Sequence, residues 1–244
     1  MKQQIMFDLD DTLIYCNRYF FHVVDQFIET ITSWFHPFPS VHALAVRDKQ
    51  NELDLTLIEQ SGFRSEHFPR SFVETYRYFS HLTGRECSKQ EMEKLWELGI
   101  QVYSHDTEPY PHMEQTLTQL VTAGHELHLY TGGEAKIQTR KIEQMNLKRF
   151  FENRIYIRQL KNNDALESIL QDGRFDRRHT WMIGNSIRTD VVPALTAGIH
   201  AIHMQTKEEW EYNNIPIDIK PTSAFFRLQQ LKEIPITISQ FLAQ

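Results

Sequence analysis

Near the start of the chain stands Asp8-Leu9-Asp10-Asp11-Thr12. Asp8 and Asp10 are two residues apart, a spacing that turns both side chains to the same side of a chain leaving a β-strand. Two convergent carboxylates suit a hard divalent cation such as Mg2+, which prefers oxygen ligands. They also allow divided labour: one ionised carboxylate attacks, while its neighbour handles protons. The same residues could instead form an acidic turn, with Asp11 or Thr12 capping a helix.

Three further groups follow at wide intervals. Thr131-Gly132-Gly133 sets a hydroxyl and main-chain N–H groups where a helix begins, which makes a seat for phosphate. Lys161 offers an ammonium that could offset gathered negative charge. Gly184-Asn185-Ser186, with Asp190 five residues after Asn185, offers a neutral and a charged oxygen to Mg2+ or its waters. Each has an ordinary alternative: a glycine turn, a solvated lysine, an Asn or Ser N-cap with an acid in the first helical turn.

The elements around these residues decide whether they meet. Residues 4–8, 125–131, 154–157, 180–184 and 201–204 read as strands, the last being the final central one. Helices at 112–123, 134–147, 164–172 and up to Gly198 alternate with them. Alternation of this kind implies a parallel sheet with right-handed crossovers and helices on both faces, an α/β, Rossmann-like doubly wound core. Ligands in such sheets bind beyond the carboxyl ends of the strands. The four groups stand at or just beyond those ends, in order, a conjunction that unrelated turns and caps would produce only by coincidence.

Between Tyr15 and His105 no strand is expected. Phe20, Val23, Val24, Phe27, Ile28, Ile31, Trp34 and Phe35 keep helical spacing. Pro37 and Pro39 stop that helix. Further helical patterns run around Leu53–Ile58, through Phe68–Phe79, and through Met92, Leu95 and Trp96. The expected division is a core at 1–14 and 108–244 and an inserted all-helical domain at 15–107.

A net charge of −6, with no lysine or arginine block, argues against a nucleic acid partner. No apolar run is long enough for a membrane span. Asp8 and Asp10 interrupt the first apolar stretch before it could act as a leader. Cys16 and Cys87 lack metal-ligand spacing and suit a reducing compartment. The expectation is a cytoplasmic protein, monomer or homodimer. The pairs His125/His128 and His200/His203 are three apart on or beside strands, so each pair points to opposite faces and no zinc constellation emerges.

The quoted residues resemble the four motifs of the haloacid dehalogenase-like superfamily. Asp8, Asp10 and Thr12 match its first motif, Thr131 its second, Lys161 its third, and Gly184 through Asp190 its fourth. The helical insertion resembles that family's C1 cap. The resemblance implies a Mg2+-dependent phosphohydrolase acting on a small phosphorylated metabolite. Asp8 would be the nucleophile and Asp10 the acid and base. Leu9, Thr131, Gly132 and Lys161 would hold phosphate, with Asp8, Asp10 (through its main-chain carbonyl), Asn185 and Asp190 around the metal. The family's dehalogenases lack the second aspartate, which Asp10 supplies here. A phosphomutase of the same fold, or a non-catalytic binding module that keeps it, are the alternatives. Asn185 stands where many relatives carry aspartate, and Asn162 follows Lys161 where proline is common.

Overall fold

A computed structural model describes residues 1–243. The chain divides into two compact units, Met1–Asn17 with Thr107–Gln244, and Arg18–Asp106.

The first unit is built on a six-stranded sheet: β1 (Gln4–Phe7), β2 (Glu126–Gly132), β3 (Ile155–Arg158), β4 (Thr180–Gly184), β5 (His200–Met204) and β6 (Phe225–Leu228). Their order across the sheet is β3-β2-β1-β4-β5-β6, and every pairing is parallel. Phe7 pairs with Leu129 on one side and Ile183 on the other. The chain therefore winds outward in one direction from β1 and in the other from β4. Their junction is the topological switch point, where a parallel sheet opens a crevice at its carboxyl edge.

Among the described residues the α-helices are α1 (Asn17–Trp34), α2 (Ala43–Ser61), α3 (His67–Thr83), α4 (Lys89–Ile100), α5 (Met113–Thr122), α6 (Ala135–Gln144), α7 (Lys148–Phe151), α8 (Asn163–Asp172), α9 (Val192–Thr196) and α10 (Ile234–Leu242). Successive strand residues point to opposite faces, and the core follows that alternation. Ile5, Phe7, Leu127, Leu129 and Ile183 pack with Leu117 and Leu120 of α5, Phe151 of α7 and Ile238 of α10. Met6, Tyr130, Met182 and Ala201 pack on the other face with Leu166 and Ile169 of α8 and Leu195 of α9. Each fully buried side chain of this kind contributes about 1.5–3 kcal/mol. The sheet is covered on both faces and its central strands are held rigidly.

Arg18–Asp106 is helical, with its own core. Phe27 of α1 stacks on Phe72 of α3 at 4.1 Å, and Phe35 meets Tyr76 edge-on. The Tyr76 hydroxyl and Arg85 converge on the Glu91 carboxylate.

Three sequence expectations need completing or correcting. The strand expected at 201–204 is the last central one, observed at His200–Met204, but an edge strand, β6, lies outside it. Its four residues are neither alternating nor flanked by glycine, so no periodicity marks them. The helix expected over 134–147 ends at Gln144, where Asn146 adopts a left-handed φ of 49° and α7 restarts the chain. The helix expected after β4 opens as one π-helical turn, Ile187–Val191, before α9.

The strand histidines are structural. His128 is buried against Phe175 and bonds Glu126 through Nε2, while His200 Nε2 donates to the Arg178 carbonyl. Burial pulls the His128 imidazole down to about 4, partly opposed by Glu126. An unfolded histidine protonates near 6.5, so on acidification the unfolded chain takes up this proton first. The stability involved is therefore intact above pH 6.5 and is lost as pH falls from about 6.5 to about 4, by about 3 kcal/mol. Urea denaturation across that range should show a shallower acid loss for His128→Leu than for the wild type; parallel curves would contradict this assignment.

Candidate active site

β1 stops at Phe7, but Asp8 remains tied to the sheet, its N–H donating to the Ile183 carbonyl at 2.9 Å. The chain then turns tightly. The Leu9 carbonyl accepts from Leu13 and Ile14, and Asp11 takes a left-handed φ of 56°. The Asp11 carboxylate accepts from the N–H groups of Cys16 at 3.0 Å and Asn17 at 2.9 Å. Asp11 thus does the capping work, which leaves Asp8 and Asp10 to other partners. Leu9 buries its side chain completely, so any contact it makes with a ligand is through its main chain.

Around Asp8 the expected residues come together. Lys161, only 4% exposed, donates from Nζ to Asp8 Oδ1 at 2.7 Å, to Asp190 Oδ1 and to the Tyr130 carbonyl at 3.1 Å. Its three N–H donors thus meet three acceptors. Thr12 Oγ1 donates to Asp8 Oδ2 at 3.1 Å and accepts from the Asn185 N–H at 3.1 Å. The loop carrying Lys161 is fixed by its neighbour, since Asn162 N-caps α8 by accepting from the Ala165 N–H. The departure from proline therefore has a structural use.

Asp190 is set by the π-helical turn, which places its Oδ2 to accept from the Ser186 N–H at 3.0 Å. Both of its oxygens are engaged, which makes it first the anchor of Lys161. Gly184 allows this approach, because a Cβ there would lie 2.2 Å from Asp190 Oδ2. Asn185 donates from Nδ2 to Glu209 Oε1 at 3.2 Å, and its carbonyl accepts from His203 Nε2 at 2.8 Å.

A second group forms around Asp10, with two members that the sequence reading did not single out. Gln138 of α6 brings the two hydrogens of its Nε2 among three oxygens, Asp10 Oδ2 at 2.8 Å, Thr131 Oγ1 at 2.6 Å and the Gly132 carbonyl at 2.9 Å. Lys141, one turn further, donates to Asp10 Oδ1 at 2.7 Å. Their i, i+3 spacing on one helix face was the available signal.

Charge is closely matched. Burial pushes the Asp8 carboxyl up to about 7, opposed by Lys161 and reinforced by Asp190. Burial pulls Lys161 down, but Asp190 and Asp8 outweigh it and hold the ammonium above its ordinary range. The same contest at Lys141 is won by Asp10, so that lysine is charged too. What results is a carboxylate at the end of a central strand, with a cation, hydroxyls and main-chain groups beside it.

Among the described residues, no group of three or more His, Cys, Asp and Glu side chains is arranged to hold a metal ion. The donors nearest Asp8 are of another kind: its carboxylate, the Thr12 hydroxyl and the Asn185 carboxamide, whose Oδ1 is 3.5 Å from Thr12 Oγ1. This hard, all-oxygen set fits Mg2+ rather than a thiolate- or imidazole-seeking metal.

Because the Gly184 hydrogen makes room for a buried, doubly bonded aspartate, Gly184→Ala should cost about 1–3 kcal/mol. Chemical denaturation reads this, and an unchanged midpoint would mean that Asp190 yields freely.

Several solved structures share this fold. A haloacid dehalogenase-like family hydrolase from Xanthomonas campestris superposes with a TM-score of 0.79 at 23% identity, covering 100% of this chain and 93% of that one. A HAD-hydrolase of Bacillus subtilis, described as bound to magnesium, gives 0.64 at 17% identity, covering 97% and 98%. A 2-haloacid dehalogenase of Pseudomonas syringae gives 0.58 at 16% identity, covering 99% and 100%. At these identities the likeness shows the fold alone. No curated protein matches the chain. The family model of the haloacid dehalogenase-like hydrolases matches residues 3–198, which include Asp8, Asp10, Thr131, Lys161, Asn185 and Asp190, and the chain belongs to that family.

Proposed function

We propose that the protein is a Mg2+-dependent phosphohydrolase that cleaves a small phosphorylated metabolite through an aspartyl-phosphate. The observation that carries this reading is Asp10. A halide departs as an anion without a proton, whereas an alkoxide leaving from phosphorus needs one. A second carboxylate, two residues from the nucleophile and held by its own helix, has a task in phosphate ester cleavage and none in dehalogenation.

In this reading an Asp8 carboxylate oxygen attacks phosphorus in line as the ester P–O bond breaks. Asp10 gives its proton to the departing oxygen. The Asp10 carboxylate then takes a proton from water as the water oxygen attacks phosphorus, which frees inorganic phosphate and restores Asp8. The Thr131 hydroxyl and main-chain N–H groups of Leu9 and Gly132 hold phosphate oxygens, and Lys161 joins them by turning one N–H from its present acceptors to the phosphate. Asp8, the Asp10 carbonyl and Asn185 would hold Mg2+, with Asp190 supporting them beside Lys161. When bound, the ion supplies positive charge against the phosphoryl oxygens. Among the described residues no helix is long and apolar enough to cross a membrane. In this reading the protein is a cytoplasmic monomer or homodimer working on soluble esters.

A panel of phosphorylated metabolites, assayed for inorganic phosphate with MgCl2, tests this. The wild type should release phosphate, chelation of Mg2+ should abolish release, and Asp8→Asn should lower it by about a thousandfold or more. Activity equal in Asp8→Asn and wild type would remove the nucleophile. Chloride release from 2-chloropropionate without phosphate release would make the chain a dehalogenase. Rearranged phosphate esters among the products would make it a mutase, and binding without turnover a module.

A further inference from the structure

We infer that Gln138 and Lys141, on one face of α6, are positioning residues that fix the carboxyl group of Asp10 for proton transfer. This rests on the phosphohydrolase reading and extends it to residues outside the four motifs.

The geometry is specific. Asp10 has one oxygen on the Lys141 ammonium at 2.7 Å and the other on the Gln138 amide at 2.8 Å. A carboxyl group held at both oxygens, from two points on one rigid helix, cannot rotate about its terminal bond without losing a contact. The Asp10 side chain is 26% exposed and that of Lys141 15%, so the group is gripped from the helix side and open on another. Gln138 does a second thing. By donating to Thr131 Oγ1 at 2.6 Å it occupies the acceptor side of that hydroxyl. The Thr131 O–H, now directed only at the Gly132 carbonyl across a long 3.4 Å, can then turn as donor to a phosphate oxygen. One amide therefore couples the proton-transfer group at the end of β1 to the phosphate-holding hydroxyl near the end of β2.

An ordinary structural role is the competing explanation, and the leaving group separates the two. p-Nitrophenolate leaves readily without a proton, whereas ethoxide does not. In kcat/KM, which ends at the step that expels the alcohol and leaves out the later attack of water, a misplaced Asp10 therefore harms ethyl phosphate selectively, whereas loosened packing harms both substrates alike. The full-length wild type, Asp10→Ala, Lys141→Met and Gln138→Leu are compared with MgCl2 on p-nitrophenyl phosphate and ethyl phosphate, each first checked for folding by thermal melting. Asp10→Ala should lose about a hundredfold or more on ethyl phosphate and far less on the aryl ester. Lys141→Met and Gln138→Leu should share that bias, with about a tenfold or greater loss in kcat/KM on ethyl phosphate and about threefold or less on the aryl ester. Should Lys141→Met fail to fold, Gln138→Leu, which keeps the ion pair, decides alone. A biased Asp10→Ala beside unbiased helix variants overturns this inference and leaves the phosphohydrolase reading intact. An unbiased Asp10→Ala in an active enzyme removes Asp10 as the acid and takes the inference with it.

Discussion

A single buried ammonium is the constraint on which the site depends. Asp8 and Asp190 are both almost wholly buried and both approach one point at the switch between β1 and β4. Two carboxylates withdrawn from water at such a place would each carry a desolvation cost of several kcal/mol and repel one another. Lys161 offsets both at once, and its third proton goes to the Tyr130 carbonyl, so no donor on it is wasted. The arrangement uses four separate segments: the end of β1, β2, the loop before α8, and the turn after β4. None of these is adjacent in sequence, and only a parallel sheet of this order brings them to one edge. Fold and site are the same constraint seen at two scales.

The finer fit comes from what is small. Gly184 lacks the Cβ that would collide with Asp190, and Thr12 is short enough to bridge Asp8 to the main chain of Asn185. The π-helical turn adds the residue that directs Asp190 back toward Lys161. These are local adjustments to a rigid frame, which suits a group that must meet an electrophile along one line.

How much of this was legible in the sequence follows from the range of each signal. A strand ending on an acid, a glycine after a strand and a change of period from two to 3.6 are all local, and they located the strand ends; the resemblance to the four motifs completed the eight residues proposed there. Gln138 and Lys141 carried only their i, i+3 spacing, a mark that solvated helix faces share. A polar residue in mid-helix is ordinarily solvated, and only the pairing of β1 with β2 brings α6 over Asp10. β6 was hidden because an edge strand of four residues needs no alternation of its own. Asp190 was legible as a participant, but its engagement with Lys161 and Ser186 is a tertiary fact. The same holds for His203, whose contact with the Asn185 carbonyl ties two strand ends together.

Asn185 shows why a lost charge is not simply a lost function. An acid there would add another carboxylate to a group whose ammonium is already shared between two. It would also face Glu209, which accepts from the Asn185 amide and from the Asn213 side chain. Burial raises the Glu209 carboxyl, and the Asn213, Trp210 and Asn185 donors counter that rise. An aspartate at 185 could not donate and would leave Glu209 with one partner fewer and a like charge beside it. The amide keeps an oxygen near Thr12 and a donor toward Glu209, a pairing of functions that a carboxylate cannot supply. The chain thus departs from the commoner residue where its own surroundings make the neutral one the better fit.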